Sequence, residues 1–448
     1  MEYSKADFFT ENRLKEMILN KQILLIIAIF LIALLPRIFL ASNSLEIPAA
    51  DALGYDHQAI GILEGKGFIE NGKPSSSREP LYSLFLAGIY YLFGHSYKAV
   101  RIIQAILGSL VCVVVFQIAK NLFTSRIAVL AGFLAAFFPS LIKISEKLLS
   151  ENLYAFLLVI AILLILKQTK AKNYRSLALL GIILGLASLT RSVIAFFPLF
   201  ILLFIGRRLV PKDYNIKKRV FSTLVLILFF ILPILPWTIR NWTMQHRFIP
   251  IVSRAGAGLY YSYFPKDGKI YGFNIPDENT EKAKLLGSET EQSNYLIKLT
   301  LKFIKDHPWR ILKLEVLKTA YFWSPFDWEI IGNGVYNYMY GFISPFIILG
   351  LIIMRNRFRE LLVIYLPVFY AFMLALVTYG SPRFRLPVEP YLIILAAAAI
   401  AHFISLFSRK VLPVLISCWV FLLNFYFYAY SYQTKIFVRD LLGKINLW

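Results

Sequence analysis

Long apolar runs separated by short basic gaps dominate the chain. Runs of membrane-crossing length or slightly less lie near 23–42, 98–119, 127–142, 152–166, 176–190, 192–206, 220–237, 338–354, 361–378, 388–406 and 411–430. An upright spanning helix needs about 20 such residues. The pattern predicts an all-α membrane protein, a polytopic bundle of about 11 transmembrane helices. A further apolar piece, Leu81–Phe93, is short and carries several tyrosines and a glycine. It is expected to lie as a juxtamembrane helix in the first outer loop.

The gaps set the orientation. The N-terminus is placed inside, beside Lys5, Arg13, Lys15 and Lys21, and Leu81–Phe93 does not cross. The basic gaps Lys120/Arg126, Lys167–Arg175, Arg207–Arg219, Arg355–Arg359 and Arg409/Lys410 then all fall inside, as the positive-inside rule requires. Were Leu81–Phe93 to cross, each of them would turn outward. The run from Leu177 to Ile205 would make one helix of about 43 Å, too long for a hydrocarbon core of about 30 Å. It is expected to turn at Thr190-Arg191. Three regions follow: an N-terminal membrane region (1–237) with a first outer loop at 43–80, an outer loop or cap (238–336), and a C-terminal membrane region (337–448). Within the cap, Tyr295–Phe322 has a helical pattern with DHPWR in its middle.

Composition sharpens this picture. Of 448 residues 58% are hydrophobic and 17% charged, with a mean hydropathy of +0.63; a soluble chain with that apolar surface would aggregate. The net charge of +22 is gathered in the gaps, which argues for membrane orientation and against nucleic acid. Cys112 and Cys418 lie in apolar runs and read as small buried hydrophobes, with no disulfide framework or metal cluster available. The apolar run to Ala41 reads as an uncleaved anchor.

The chemistry begins in the first loop, which carries Asp51, Asp56, His57, Arg78 and Glu79. Carboxylates gain nothing from lipid and are repelled by anionic headgroups. Asp51 and Asp56 are therefore read as facing a lipid-borne phosphate ester; helix capping or a solvated face is the plainer alternative. The same outer face receives Glu146, Glu151, Arg191, Arg240, Asn241, Arg383, Arg385 and Glu389. Short outer loops should be poor in arginine, so these arginines stand against the orientation rule. Pro387 fits the opening of a helix whose N-terminus would offer free N–H groups and a positive dipole end. Two readings of Arg383 and Arg385 stand here: a phosphate clamp suited to arginine's planar fork, or snorkelling to anionic lipid. His57 lacks a firm set of metal-ligand partners, and one of Glu146 and Glu151 can simply pair with Lys147. Trp237, Trp242, Trp309 and Trp323 read as interfacial anchors.

Taken in order, these pieces resemble the GT-C superfamily of integral-membrane glycosyltransferases, in particular its protein O-mannosyltransferase and lipid A aminoarabinose transferase-like branch. The resemblance rests on Asp51 after the first span, Tyr55–Ala59, the turn at Gly65 and Gly67, and REPLYSLFLAGIYYLFG. It continues through VRIIQAILGSL, SLTRS at Ser188–Ser192, LPWTIRN at Leu235–Asn241 and RFRLPVEPY at Arg383–Tyr391. It implies a helix bundle with two active-site loops on the outer face and a sugar donor carried on a polyprenyl phosphate. The acceptor would be a hydroxyl of a glycan, lipid or protein. By the same resemblance Asp51 is the catalytic base. Several members have a second acid next to it where this chain has Ala52, so Asp56 is expected to supply that carboxylate.

The expected phosphate binders are Arg383, Arg385, Arg191 and Arg240, in that order, and attack opposite the phosphate inverts the anomeric centre. His57, Arg78, Glu79, Tyr82, Glu146 and Glu151 are further candidates. Arg78 stands where some relatives place a carboxylate, which weakens the case for their divalent metal, and no other cofactor is implied. The expected setting is a prokaryotic plasma membrane, with membrane lipids as partners and the active site outside. The rival reading is a lipid-linked-sugar flippase or transporter. That reading calls for charges at mid-membrane and polar loops on both sides, whereas the polar investment here is one-sided.

Overall fold

The computed structural model describes residues 5–70, 72–210, 215–264, 277–327, 335–407 and 422–425. The chain is a multi-pass membrane protein made almost wholly of helices. Helix α1 (Lys5–Asn43) leads into the first loop, which folds as α2 (Asp51–Leu63) and a small antiparallel ladder pairing Ile69 with Pro74. Next comes α3 (Pro80–Phe93), opened by its proline and closed by Gly94 at φ 72°, a conformation that favours glycine. The Ser96 hydroxyl caps α4 (Tyr97–Leu122). Helix α5 (Ser125–Ala136) stops just before Pro139, which opens α6 (Pro139–Lys143). There follow α7 (Glu151–Ala171) and α8 (Tyr174–Thr190), then a 3-10 turn over Ser192–Phe196 that continues as α9 (Phe197–Leu209), and then α10 (Ile216–Gln245).

The cap contributes α11 (Ala255–Tyr263), α12 (Glu278–Lys284), α13 (Glu289–Asp306) and α14 (Pro308–Phe322). Capping boxes at Asp277 and Ser288 start α12 and α13. The helical pattern over 295–322 is broken at Pro308, which cannot continue α13. A second ladder pairs Phe326 with Tyr336. The chain closes with α15 (Tyr338–Ile353), α16 (Phe358–Val377), α17 (Pro382–Arg385) and, through a 3-10 turn over Leu386–Val388, α18 (Glu389–Phe407).

Seven segments among the described residues are long and apolar enough to cross a membrane: 20–43, 97–122, 151–170, 192–209, 216–245, 355–377 and 382–405. Three further expected spans are the shorter helices α5, α8 and α15, of 12, 17 and 16 residues. The expected span at 411–430 lies outside the described residues apart from 422–425. Helix α3 has 14 residues, about 21 Å of helix and too short to cross upright. It packs on α2 and buries Tyr82, Ser83, Leu86 and Tyr90. The Leu177–Ile205 run does break at Arg191, whose extended backbone ends α8.

Two packing features position the rest. Helix α18 is the buried axis of the bundle, with Tyr391 through Ala399 almost fully enclosed by α15, α5, α4 and α16. Helices α8 and α10 meet through Gly181 and Gly185, four residues apart. A Cβ added at Gly185 would lie 2.4 Å from the Phe230 carbonyl oxygen, and one at Gly181 2.7 Å from that of Leu226. Small residues at this spacing let membrane helices approach backbone to backbone.

Arg409/Lys410 lies outside the described residues; the basic gaps among those residues gather at one end of the bundle. There Lys170 donates to Asn121 (2.9 Å), Gln168 to the Leu209 carbonyl (2.7 Å), Arg357 to the Leu122 carbonyl (2.6 Å) and Arg208 to the Arg359 carbonyl. The opposite end carries the first loop, the cap and the arginine turn.

Candidate functional site

The site is built around the first residue of α2. Asp51 follows Ala50, whose φ of 50° and ψ of −117° are unusual for a residue with a side chain; such a conformation costs about 1–3 kcal/mol and persists only where its surroundings fix it. One Asp51 oxygen accepts from Arg78 at 2.9 Å, the other from Arg383 at 3.1 Å. Gly54, one turn into α2, permits this: a Cβ there would stand 2.6 Å from the Arg78 guanidinium carbon. The Arg383 Nε donates in turn to Glu151, and Arg191 donates to the same Glu151 oxygen at 2.5 Å. Five residues from four parts of the chain thus form an alternating line: Arg78, Asp51, Arg383, Glu151, Arg191.

Local structure explains how each side chain is delivered. Arg383 is the second residue of α17, which opens at Pro382 with Ser381 as its cap. The helix therefore starts one turn earlier than Pro387 suggested. Glu151 opens α7 and is fully buried; its second oxygen has no hydrogen-bond partner among the described residues. Arg191 sits where α8 gives way to the 3-10 turn. Glu79 holds that turn by accepting from both the amide and the hydroxyl of Ser192, each at 2.7 Å. The buried Tyr55 ring lies 5.5 Å beneath the Arg78 guanidinium.

Burial raises the Asp51 carboxyl, but Arg383 and Arg78 outweigh it and bring its pKa from 3.8 down to about 2. Burial lowers Arg78 and Arg191, and the facing carboxylates more than restore them, so both remain charged. A small, mostly apolar pocket adjoins Arg191 and Arg383 and is walled by Tyr154, Val193, Ala371 and Leu374. Cations on one side and apolar walls on the other suit an anion attached to a hydrocarbon.

Other expected residues lie elsewhere. Arg385 is buried, donates to the Phe322 and Ser324 carbonyls (2.7 and 2.8 Å) and to Glu389 (3.2 Å), and stacks over Tyr340. It ties α17 to the end of α14 rather than joining the Asp51 line. Arg240 donates to the Ser75 and Phe68 carbonyls (2.8 and 2.9 Å) and lies over Trp237. Asp56 is five residues along α2, about 140° around it. There it accepts from Tyr90 (2.6 Å) and Tyr97 (3.0 Å) and pairs with His95 (2.9 Å). His57 is exposed. Tyr82 donates to Gln104 at 2.9 Å, and Glu146 pairs with Lys143 rather than Lys147.

The described residues include no group of three or more His, Cys, Asp or Glu that could hold a metal ion. The two acids at the site, Asp51 and Glu151, are each turned toward arginines, a donor set that does not fit a divalent ion. Gly54 escaped the sequence reading because it works by backbone approach to a distant side chain, which leaves no periodic trace; Ser192 entered it only as the end of SLTRS, with no role.

Residues 73–237 match the family model described as dolichyl-phosphate-mannose-protein mannosyltransferase. That stretch takes in Arg78, Glu151 and Arg191 and leaves out Asp51 and Arg383. Among solved structures, the archaeal oligosaccharyltransferase AglB from Archaeoglobus fulgidus, in complex with an inhibitory peptide and a dolichol-phosphate, superposes with a TM-score of 0.56. The identity is 16%, over 90% of this chain and 54% of that one. The apo form of the A. fulgidus enzyme gives 0.55 at 14% identity, over 90% and 55%. The chain has the GT-C fold. It spans about half the length of the AglB structures it matches, so the likeness carries the fold and leaves the chemistry to the site itself. ArnT from Cupriavidus metallidurans bound to undecaprenyl phosphate overlaps more loosely, with a TM-score of 0.41 at 13% identity over 85% of this chain and 78% of that one. No curated protein matches the chain in sequence.

Proposed function

We propose that the chain is a glycosyltransferase that moves a hexosyl or pentosyl group from a polyprenyl-phosphate donor to an acceptor hydroxyl, with inversion. The supporting observation is Asp51 held between Arg78 and Arg383, with Arg191 next along the line and an apolar-walled cleft beside them. A sugar ester of a lipid phosphate needs no nucleotide pocket; it needs cations at headgroup depth and a carboxylate near the acceptor.

In this reading the donor phosphate enters beside Arg383 and Arg191 and competes with Asp51 and Glu151 for their guanidinium groups. As Arg383 turns to the phosphate, Asp51 loses one of the two partners that hold its basicity down. The freed carboxylate takes the acceptor hydroxyl's proton as that oxygen bonds to the anomeric carbon. The bond from the anomeric carbon to the phosphate oxygen breaks on the opposite side, and the leaving polyprenyl phosphate keeps the electron pair. Its charge rises in the transition state, where fixed arginines stabilise it more than they do the bound donor. Asp56 orients α2 from its far side through Tyr90 and Tyr97. Arg240 and Arg385 hold the two loops that carry Arg78 and Arg383.

The site is assigned to the outer face of a prokaryotic plasma membrane, because the basic gaps cluster at the other end. The acceptor is a glycan, lipid or protein hydroxyl. The test is to incubate the purified full chain, reconstituted in vesicles, with labelled polyprenyl-phosphate sugars and candidate acceptors. Transfer that disappears in Asp51→Asn supports the proposal. Translocation of the labelled lipid without transfer would overturn it in favour of a transporter.

A further inference from the structure

Helix α14 is apolar on two opposite sides. Its inner side buries Leu314, Leu317 and Phe322. Its outer side presents Trp309 (77% exposed), Leu312 (56%) and Val316 (56%), followed by the exposed Ala320. At 100° per residue these four fall within an arc of about 80°, a continuous stripe rather than scattered single residues. An extramembrane helix in water has no use for a second apolar face, so this face needs an occupant.

The position of α14 narrows the choice. Lys318, on its inner side, donates to the Leu376 carbonyl at 2.7 Å, in the last turn of α16. The Phe322 and Trp323 rings lie 5.6 and 5.8 Å from that of Phe372. Phe372 is five residues, about 7.5 Å, before the end of α16, one of the spanning segments. The C-terminal end of α14 therefore reaches the depth at which a membrane helix leaves the hydrocarbon. Charge points the same way. Lys313 and, further round, Arg310 border the stripe on one side, and Lys302 and Lys305 are exposed at the end of α13 just before it; Asp306 is the exposed acid of that turn. Basic residues bordering Trp, Leu and Val are the pattern of a helix lying in the headgroup layer.

We propose that α14 is an interfacial helix whose Trp309, Leu312 and Val316 stripe rests in the outer leaflet, with Arg310, Lys313, Lys302 and Lys305 against lipid phosphates. The opposite side of the same helix end holds the Arg385 guanidinium through the Phe322 and Ser324 carbonyls. One element thus touches lipid on one side and the arginine turn on the other, and the bilayer sets the depth of that turn.

The experiment uses the full chain in vesicles of phosphatidylethanolamine and phosphatidylglycerol. Trp309→Cys, Leu312→Cys, Val316→Cys and, as a polar control, Lys298→Cys are placed singly in a Cys112→Ser, Cys418→Ser background and labelled with a nitroxide. The expected result is preferential collision with oxygen at 309, 312 and 316 and with a water-soluble nickel chelate at 298. Nickel access equal to that at 298 would mean the stripe faces water and would overturn the proposal. So would dipolar broadening between labels, which would put a second copy of the chain on the stripe. The native tryptophan gives an independent reading should the cysteine background fail to fold. Lipid-borne doxyl quenchers should lose a measurable part of their effect in Trp309→Phe, and unchanged quenching would sink the idea. Neither readout uses catalysis, so failure here leaves the glycosyl-transfer reading untouched.

Discussion

Asp51 sits between two guanidinium groups, and its protonation follows from that. Its folded pKa is depressed, from 3.8 to about 2. The pairing therefore stabilises the fold fully above the ordinary carboxylate value, and that contribution is lost as pH falls toward 2. A carboxylate so acidic is a weak base until a partner leaves, which makes the two kinetic profiles diverge. In the free enzyme kcat/KM should show no acid limb from Asp51 down to about pH 4, whereas kcat, reporting the donor complex, should fall off at a higher pH. Coincident limbs would mean that the donor does not draw Arg383 away. Asp51→Asn should abolish transfer at normal membrane levels of protein, checked by immunoblot beside the transfer assay. Arg383→Ala should cut kcat by about 100- to 1000-fold, the usual loss for one charge-stabilising donor, measured under saturating donor. Gly54→Ala should behave like partial loss of Arg78, since the added methyl group meets that guanidinium at 2.6 Å. Its kcat should drop while thermal stability changes little.

At the scale of elements, the arginines depend on how two short loops are held. The loop Ser75–Arg78 is gripped from both sides. Glu289, opening α13, accepts from the Ser75 hydroxyl (2.6 Å), the Ser76 amide (3.2 Å) and Ser253 (2.5 Å), and Arg240 donates to the Ser75 carbonyl. Glu289→Ala leaves these donors without their acceptor, and hydrogen bonds to a charged group are worth about 1.5–3 kcal/mol each before compensation. Transfer should weaken because Arg78 is no longer fixed. Faster cleavage by a protease added to the cap side should report the loosened cap in the same variant. Much at this scale was legible beforehand. Apolar runs marked nearly every long helix, the piece Leu81–Phe93 marked α3, and the excess length of Leu177–Ile205 marked the break at Arg191. The start of the arginine turn was misplaced by one turn because two prolines, Pro382 and Pro387, each fit a helix opening. Only the Ser381 cap distinguishes them. The roles of Arg240 and Arg385 were not legible, since orientation arguments find charged residues at the outer end but do not say which carbonyls lie within their reach.

For the whole molecule, the end-to-end separation of charge follows from gap composition, and the hydrogen bonds among the gaps agree with it. The closeness of α8 and α10 rests on Gly181 and Gly185 meeting backbone atoms; their four-residue spacing stands in the sequence, but the helix they meet does not follow from it. Gly185→Leu should push α10 off α8 and lower the melting temperature, read by scanning calorimetry in detergent, with Arg191 displaced as a secondary effect. The alternating line of charges has one more consequence. Because the three guanidinium groups already share two carboxylates, the line keeps only one unbalanced positive charge for anions arriving from bulk water. Dilute free phosphate would have to break two ion pairs for one, whereas a headgroup tethered in the leaflet meets the same groups at a far higher effective concentration. Selection for ligands that travel by lateral diffusion would then be a property of the vacant enzyme, set before any sugar is recognised.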